Sequence, residues 1–553
     1  MSSTGAARAP MVSPMSGVGA WRGSTLAVVL CLPAVLPLLV IASALISPET
    51  EVWAHLAQYV LPDVTINTVK LVIGVALIAG TLGTSLAWLT SMCEFPGRRW
   101  LEWALLLPLA IPAYVLAFVA IGFLDYAGPL QTALRSLTGS SAWVPPIRST
   151  GGVIAVLSLA FYPYAYLMAR NAFLTQGKRA LEVAQTFGYS RSAAVWRVAL
   201  PMARPWIAGG IALICMETLA DFGAVSIFNY NTFTTAIYRA WFGMFSVHAA
   251  LELSAVLLVF ILIALFVDRR SRAGVRYTSA RDVSYQTREP LGARTRWLAS
   301  IYAGSIFMLA FLLPLLQLVW WAIMRASRDL DARYWMFTAH SLVLATSAAL
   351  IIVAASLVLA YLLRRQPSLF NSTIVRLATL GYAVPGTVLA VGTILPLILL
   401  NNALQGLLND LLGTSAPTLL LQSTLLGVLL AYMARFLAVG FHPVESGLQR
   451  VTRSLDEAAI GLGVGGARLV GSVHVPLLRS SLITAAIMVF VDVMKEMPIT
   501  LITRPFGWDT LAVRVFNMTS NGEWERAALP AVLIVAVGLV PAAMLSRGNS
   551  NVA

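Results

Sequence analysis

Lysine is nearly missing from this chain of 553 residues, occurring only at Lys70, Lys178 and Lys495. None of the three sits in a Gly-x-x-x-x-Gly-Lys loop, so no nucleotide-phosphate cradle is present. Cysteine is equally scarce. Cys31, Cys93 and Cys215 have no metal-ligand spacing and lie in or near apolar runs, which argues against a disulfide framework or a zinc site. The five histidines are scattered, with no Ser/His/Asp or metal-ligand grouping, so the sequence names no metal-binding residues. The chain is expected not to be an enzyme and to hold no cofactor of its own. Charge of either sign is also sparse. Asp, Glu, Lys and Arg make up 11% of residues, against about 25% in a soluble chain.

Apolar residues fill the space, at 58% of the chain. They fall in blocks near the ~20 residues a helix needs to cross a bilayer. The blocks lie near 24–46, 67–90, 101–124, 152–168, 205–229, 250–267, 298–322, 340–363, 375–399, 417–434, 480–500 and 527–545. They are continuous and not alternating, which favours helices over a membrane barrel. The expected fold class is an all-α integral membrane protein with about 12 transmembrane helices. Arg8 and Arg22 precede a first apolar run too long for a usual signal-peptide core, so a retained first span is expected.

The net charge of +14 does not point to nucleic acid, because basic residues in such chains mark cytoplasmic loops. Segments 47–66 and 400–420 carry acids but no Lys or Arg. Segment 268–297 carries eight Arg, and segment 169–204 carries six basic residues against the single acid Glu182. These signs place both termini, the centre of the chain and the 182–201 stretch in the cytoplasm. Segment 324–338, with three Arg, breaks the trend.

The chain repeats itself. "EVAQTFGYSRSAAVWRVALP" (182–201) corresponds to "EAAIGLGVGGARLVGSVHVP" (457–476). Glu182, Gly188 and Pro201 map on Glu457, Gly463 and Pro476 at an offset of 275 residues. Asp221 maps on Glu496, Thr235 on Thr510 and Arg239 on Arg514 at the same offset. Upstream, "AIPAYVLA" (110–117) matches "AVPGTVLA" (383–390) at offset 273. The expected organisation is an N-terminal arm (1–23), a first half (24–268), an Arg-rich cytoplasmic linker (269–297), a second half (298–546) and a tail (547–553). Six spans per half make the repeat parallel, related by an axis along the membrane normal.

In each repeated stretch a helix is expected to end at the Gly, which tolerates the left-handed conformation that closes a helix. Ser190 can cap a second short helix running through Val198, and Pro201 is expected to limit its extension. An ordinary loop would not need the same Glu–Gly–Pro spacing twice. The pattern reads as a docking element presented to a partner with two equivalent surfaces.

"EVA…G…LP" and "EAA…G…VP" resemble the EAA loop of importer-type ABC transporter permeases. That resemblance implies that the helix after each Gly seats in an ATP-hydrolysing subunit, and that Glu182 and Glu457 contact a basic residue there. Val183 stands where the family usually has Ala. The chain is most similar to the ferric iron import branch, with two permease halves in one chain. The stretches "ETLADFGAVSIFNYNTFTTAIYRAWFG" (217–243), "DVMKEMPITLITRPFGWDTLAVRV" (492–515), "IPAYVLAFVAIGFLDYAGPL" (111–130) and "FYPYAYLMAR" (161–170) carry this likeness. It implies a type I importer fold in a bacterial inner membrane and two ATP-binding partner subunits. It also implies a periplasmic iron-binding protein, Fe(III) as substrate and alternating access. A permease for thiamine or another small solute is the alternative. An ion-gradient-driven secondary transporter would share the hydropathy but not need the twin loops.

Glu217, Asp221, Asp492, Lys495 and Glu496 are charges in or beside expected spans, where such groups usually face a bundle interior or pair with one another. Glu217 and Asp221 are four apart and so expected on one helical face. One reading is a translocation path of hard oxygen donors, the type Fe(III) prefers. The other is a structural ion network in which Lys495 neutralises an acid. Tyr162, Tyr164 and Tyr166 could add phenolic oxygens, although an interfacial aromatic belt explains them more simply.

Overall fold

A backbone in lipid must satisfy its own polar groups, so the apolar runs fold as helices. The computed structural model describes residues 17–46, 48–139, 145–272, 288–412 and 424–550. Among these, eleven helices are long and apolar enough to cross a membrane. A bent pair, Val470–Leu477 and Arg479–Met494, meets at 72° and brings the number to twelve when taken as one span. Of the expected arm, linker and tail, residues 1–16, 273–287 and 551–553 lie outside the described residues.

Four runs expected as continuous spans are broken, and each break has a local cause. The 101–124 run forms Arg98–Ala104, a tight turn at Leu107–Ala110, and Ala113–Leu124. The 375–399 run forms Leu369–Thr379, a turn at Leu380–Ala383, and Gly386–Leu412. In both, the residue before a proline is pushed out of the helical region. Ile111 before Pro112 has φ −93° and ψ 115°, and Val384 before Pro385 has φ −93° and ψ 135°. The 205–229 run ends as a helix at Ala220 and restarts at Gly223–Ile227. The 480–500 run ends at Met494 and restarts at Pro498–Thr503. These breaks fall at repeat-mate positions.

The Thr150–Ala172 helix is the central element of the first half. It packs extensively on Leu61–Met92 and on Leu200–Ala220. Close approach needs small residues. A Cβ on Gly83 would lie 2.6 Å from the Tyr162 carbonyl oxygen, and one on Gly210 would lie 2.7 Å from the Ala165 Cα. This packing overturns the aromatic-belt expectation. Tyr162 and Tyr166 are fully buried, and their hydroxyls donate to the carbonyls of Leu105 at 2.9 Å and Glu102 at 3.0 Å. They lock the broken 98–110 segment onto the helix and do not face lipid headgroups.

The first span of each half packs on the other half. Gly17–Ser43 lies against Leu369–Thr379, Gly386–Leu412 and Leu425–Arg450. Ala293–Phe307, which opens the second half, returns the contact. Tyr302 and Ser85 share a hydrogen bond of 2.7 Å, Ser300 donates to the Pro96 carbonyl at 2.9 Å, and Phe307 meets Trp100 edge-on at 4.8 Å. Backbone strands Cys93–Glu94 and Glu289–Pro290 pair in parallel and fasten the end of the connecting segment to the first half.

Two charges of the 324–338 segment are paired with the last helix. Arg325 pairs with Glu525 at 2.5 Å, and Asp329 accepts from Arg526 at 3.3 Å.

Candidate translocation site and docking stretches

The two breaks at 221–222 and 495–497 each leave short-helix amide groups that need acceptors. Asp221 meets this in the first half, accepting from the Val225 amide at 3.0 Å. Its mate Glu496 does the same in the second half, accepting from Ile499 at 2.9 Å and Thr500 at 3.1 Å. The Thr500 hydroxyl adds a bond of 3.0 Å to Glu496 and one of 2.5 Å with the Tyr432 hydroxyl. Each carboxylate therefore sits at a short helix's N-terminus, where backbone N–H groups favour negative charge. Asp221 has extended backbone (ψ 126°), so it is not on the helical face of Glu217 as the spacing suggested. The break turns it toward the same space.

That space is a cavity of about 160 Å³ bordered by all four acids, Glu217, Asp221, Asp492 and Glu496. Its walls are made of repeat mates. Phe161 stands with Phe436, Glu217 with Asp492, and Asp221 with Glu496, each pair 275 residues apart. Leu109 and Tyr382 face it at the upstream offset of 273. The cavity thus lies between the halves. Non-helical backbone at such depth is tolerated where it lines a cavity, as here.

The halves differ in charge. The second contributes two cations, Arg435 and Lys495, where the first has Ala160 and Ala220. Lys495 Nζ pairs with Asp492 at 2.8 Å. Arg435 donates to the Val384 carbonyl at 2.9 Å, while its Nε has no partner. Sequence reading missed Arg435 because the apolar run was taken to end at 434. The helix instead continues to Arg450, and Arg435 points inward from its middle. Tyr114 and Tyr382 were missed as well, since each lies in a different span and only folding brings them to the acids. Tyr164 borders the cavity, unlike its buried neighbours Tyr162 and Tyr166.

Leu109, Tyr164, Tyr382, Asp492 and Lys495 also border a wider apolar vestibule of about 810 Å³, which reaches Arg99, Trp100 and Trp103. Beside these, Glu102 pairs with Arg98 at 2.9 Å and with Arg170. Arg170 lies in the last turn of Thr150–Ala172, just before the 182–201 stretch. The vestibule therefore leads toward the side that bears the repeated stretches. On the other side, Phe222 and Tyr238 from the first half meet Phe516 from the second at 5.6 and 6.0 Å. Of these three rings only Phe222 borders the cavity.

The repeated stretches fold alike at their turns. Helices Lys178–Thr186 and Arg453–Gly461 both end in a left-handed glycine, Gly188 at φ +82° and Gly463 at φ +78°. Tyr189 donates to the Ala184 carbonyl at 3.1 Å and Gly188 to Gln185 at 2.9 Å. Their mates repeat this: Val464 donates to Ala459 at 2.9 Å and Gly463 to Ile460 at 2.9 Å. Both are the paired closing bonds that end a helix in a Schellman turn. Ser190 accepts from the Ala193 amide at 3.4 Å, the cap expected of it. Glu182 and Glu457 are exposed, and so are the mates Phe187 (78%) and Leu462 (85%). Apolar side chains this open beside a charged one mark a surface suited to a protein partner.

The helix does not stop at Pro201. A π-turn at Val195–Ala199 passes directly into Leu200–Ala220. Its wider hydrogen-bond spacing absorbs the amide that Pro201 lacks. The second copy has a π-turn at Val470–His474, but after Pro476 the chain bends by 72° at Leu478.

Residues 79–276 match the family described as "Binding-protein-dependent transport system inner membrane component". A probable molybdenum ABC transporter permease protein of Haloferax volcanii is 31% identical over 214 residues, 38% of this chain and 75% of that one. The chain belongs to this transport family. Longer likenesses span both halves of the permease. The Fe(3+)-transport system permease protein FbpB 2 of Haemophilus influenzae is 28% identical over 488 residues, 87% of this chain and 89% of its own. The ferric transport system permease protein FbpB of Actinobacillus pleuropneumoniae is 23% identical over 458 residues, 78% of this chain and 63% of its own. The permease is thus a multi-pass membrane component of a transport system, with its spans arranged as two related halves.

Proposed function

We propose that this permease carries ferric iron, delivered by a periplasmic binding protein, across a bacterial inner membrane, with ATP hydrolysed by two separate subunits. The observation that carries the reading is the pair of matching Schellman turns, which present Glu182 and Glu457 on exposed short helices. In this reading Glu182, Gly188 and Pro201 form one docking element, and Glu457, Gly463 and Pro476 the other. Closure of the ATPase pair moves the two elements, and the spans continuous with them carry the motion to the cavity.

The cargo assignment rests on the likeness to the Fe(3+)-transport permeases and on the chemistry of the cavity. Four carboxylates against two cations suit a hard, highly charged cation and disfavour an oxyanion such as molybdate. In this reading the vestibule opens on the docking side and the Phe222–Phe516 contact closes the other, as in an inward-facing carrier. ATP-driven closure would part Phe222 from Phe516 and admit cargo from outside.

The test is reconstitution with the cognate ATPase and binding protein in liposomes. Fe(III)-loaded binding protein should stimulate ATP hydrolysis and iron uptake. Stimulation by thiamine or another solute, and not by iron, would replace the cargo. A solubilised permease that never retains an ATPase, with Glu182 and Glu457 intact, would favour the gradient-driven reading.

A further inference from the structure

The repeat mates Glu217 and Asp492 border the same cavity in different states. Glu217 makes no hydrogen bond or ion pair among the described residues. Asp492 is held by Lys495 at 2.8 Å. The position equivalent to Lys495 in the first half is Ala220, so the ammonium is an addition to one half only. A second observation points to a ligand. Tyr114 is buried (6% exposed), borders the cavity, and its hydroxyl has no hydrogen-bond partner. An unpartnered buried hydroxyl is costly, and one in a cavity wall is a spare oxygen donor.

Lys495 also borders the vestibule, so its ammonium has a second place to go. Two unpaired carboxylates in a poorly solvated space repel each other, and a nearby ammonium relieves this. A trivalent cation relieves it better. It attracts both carboxylates three times as strongly as a single charge at equal distance, and it repels the ammonium.

We propose that Lys495 is a tethered counter-cation, holding Asp492 in the empty permease and yielding it to a hard trivalent cation that Asp492 and Glu217 then share. This rests on the ferric iron reading and adds how the site is kept neutral when empty. When the ammonium returns from the vestibule it competes for Asp492 and drives release. The asymmetry of the two halves is then functional: one mate is always available, and the other is exchanged once per cycle.

The experiment measures gallium(III), a redox-inert trivalent cation supplied as citrate, binding to the detergent-solubilised permease–ATPase complex by equilibrium dialysis. Lys495→Met should bind gallium about tenfold more tightly than the wild type, and Lys495→Arg should stay close to it. In liposomes Lys495→Met should take up iron more slowly, because release is hindered. The double variant Asp492→Asn/Lys495→Met should assemble but lose the added gallium affinity and remain poor in uptake. A merely structural ion pair predicts the opposite, full uptake in the double variant, and that result overturns the proposal. Equal gallium affinity of Lys495→Met and wild type overturns it too. Should Lys495→Met fail to retain the ATPase, Lys495→Gln carries the same comparison. Failure of the iron reading is distinguishable, since it shows as no stimulation of the wild type by Fe(III)-loaded binding protein.

Discussion

Asp456 Oδ1 lies 2.8 Å from His474 Nε2, joining the first helix of the second docking stretch to its π-turn. The other Asp456 oxygen pairs with Arg364, which also donates to the carbonyls of Leu448 and Val451 at 2.7 and 2.9 Å. The mates of Asp456 and His474 in the first stretch are Leu181 and Ala199, both buried and apolar. The two stretches therefore share their turns but not their anchors. Asp456→Leu should loosen the second stretch by about 1–3 kcal/mol, because His474 and Arg364 lose a partly buried acceptor. Hydrogen exchange across 453–478 should rise, with 178–201 unchanged. Equal protection in variant and parent would show that apolar packing alone holds this stretch.

The left-handed glycines give a second prediction. A Cβ at Gly188 or Gly463 would meet nothing within 4 Å, so any cost of substitution is conformational and not steric. Gly188→Val and Gly463→Val should each cost about 1–2 kcal/mol locally, while asparagine costs less because its side chain tolerates this conformation. The readout is the ATPase retained on affinity purification of the permease. Valine variants should retain less than asparagine variants at both positions. Indifference to both would mean that the turn does not set the docking surface.

The apolar runs, the repeat and its turns were legible because each is a local pattern. Among the described residues, eleven helices long and apolar enough to span and one bent pair occur where twelve runs stand in the sequence. The acids at 217, 221, 492 and 496 could be singled out because charge in an apolar run is conspicuous. Arg435 could not, since it follows an apolar run and looks like the end of a span. The exchange of first spans between halves left no signal either. A lipid-facing apolar residue and one facing the other half look alike in sequence. The helix breaks at 221 and 496 were hidden for a related reason. The carboxylate that caps the second helix is the same residue that reads as a membrane-buried charge.

That double role separates two variants of Asp221. Asp221→Asn keeps an acceptor for the Val225 amide, so the permease should assemble normally. Asp221→Ala removes the cap and should destabilise the Gly223–Ile227 helix by about 0.5–2 kcal/mol. If charge in the cavity matters to transport, Asp221→Asn lowers iron uptake without lowering thermal stability. If Asp221 serves only as a cap, Asp221→Asn transports like the wild type and Asp221→Ala alone is impaired.

The aromatic closure supplies the last prediction. Phe222 meets Phe516 at 5.6 Å and Tyr238 at 5.0 Å, and it also borders the cavity. In the proposed cycle it stands between the acids and the outside. Aromatic pairs of this kind add about 0.5–1.5 kcal/mol beyond the area they bury. Phe222→Ala should therefore shift the resting permease toward the outward-open form and leave the fold standing. In a background with Cys31, Cys93 and Cys215 replaced, a cysteine at position 220 would report this through a membrane-impermeant maleimide applied from outside. Labelling should be slow with Phe222 present and several-fold faster in Phe222→Ala, without ATP. Resting ATP hydrolysis should rise in parallel, because the closed ATPase pair and the outward-open form belong to the same state. Faster labelling with unchanged hydrolysis would mean that Phe222 plugs the cavity but does not hold the two halves together.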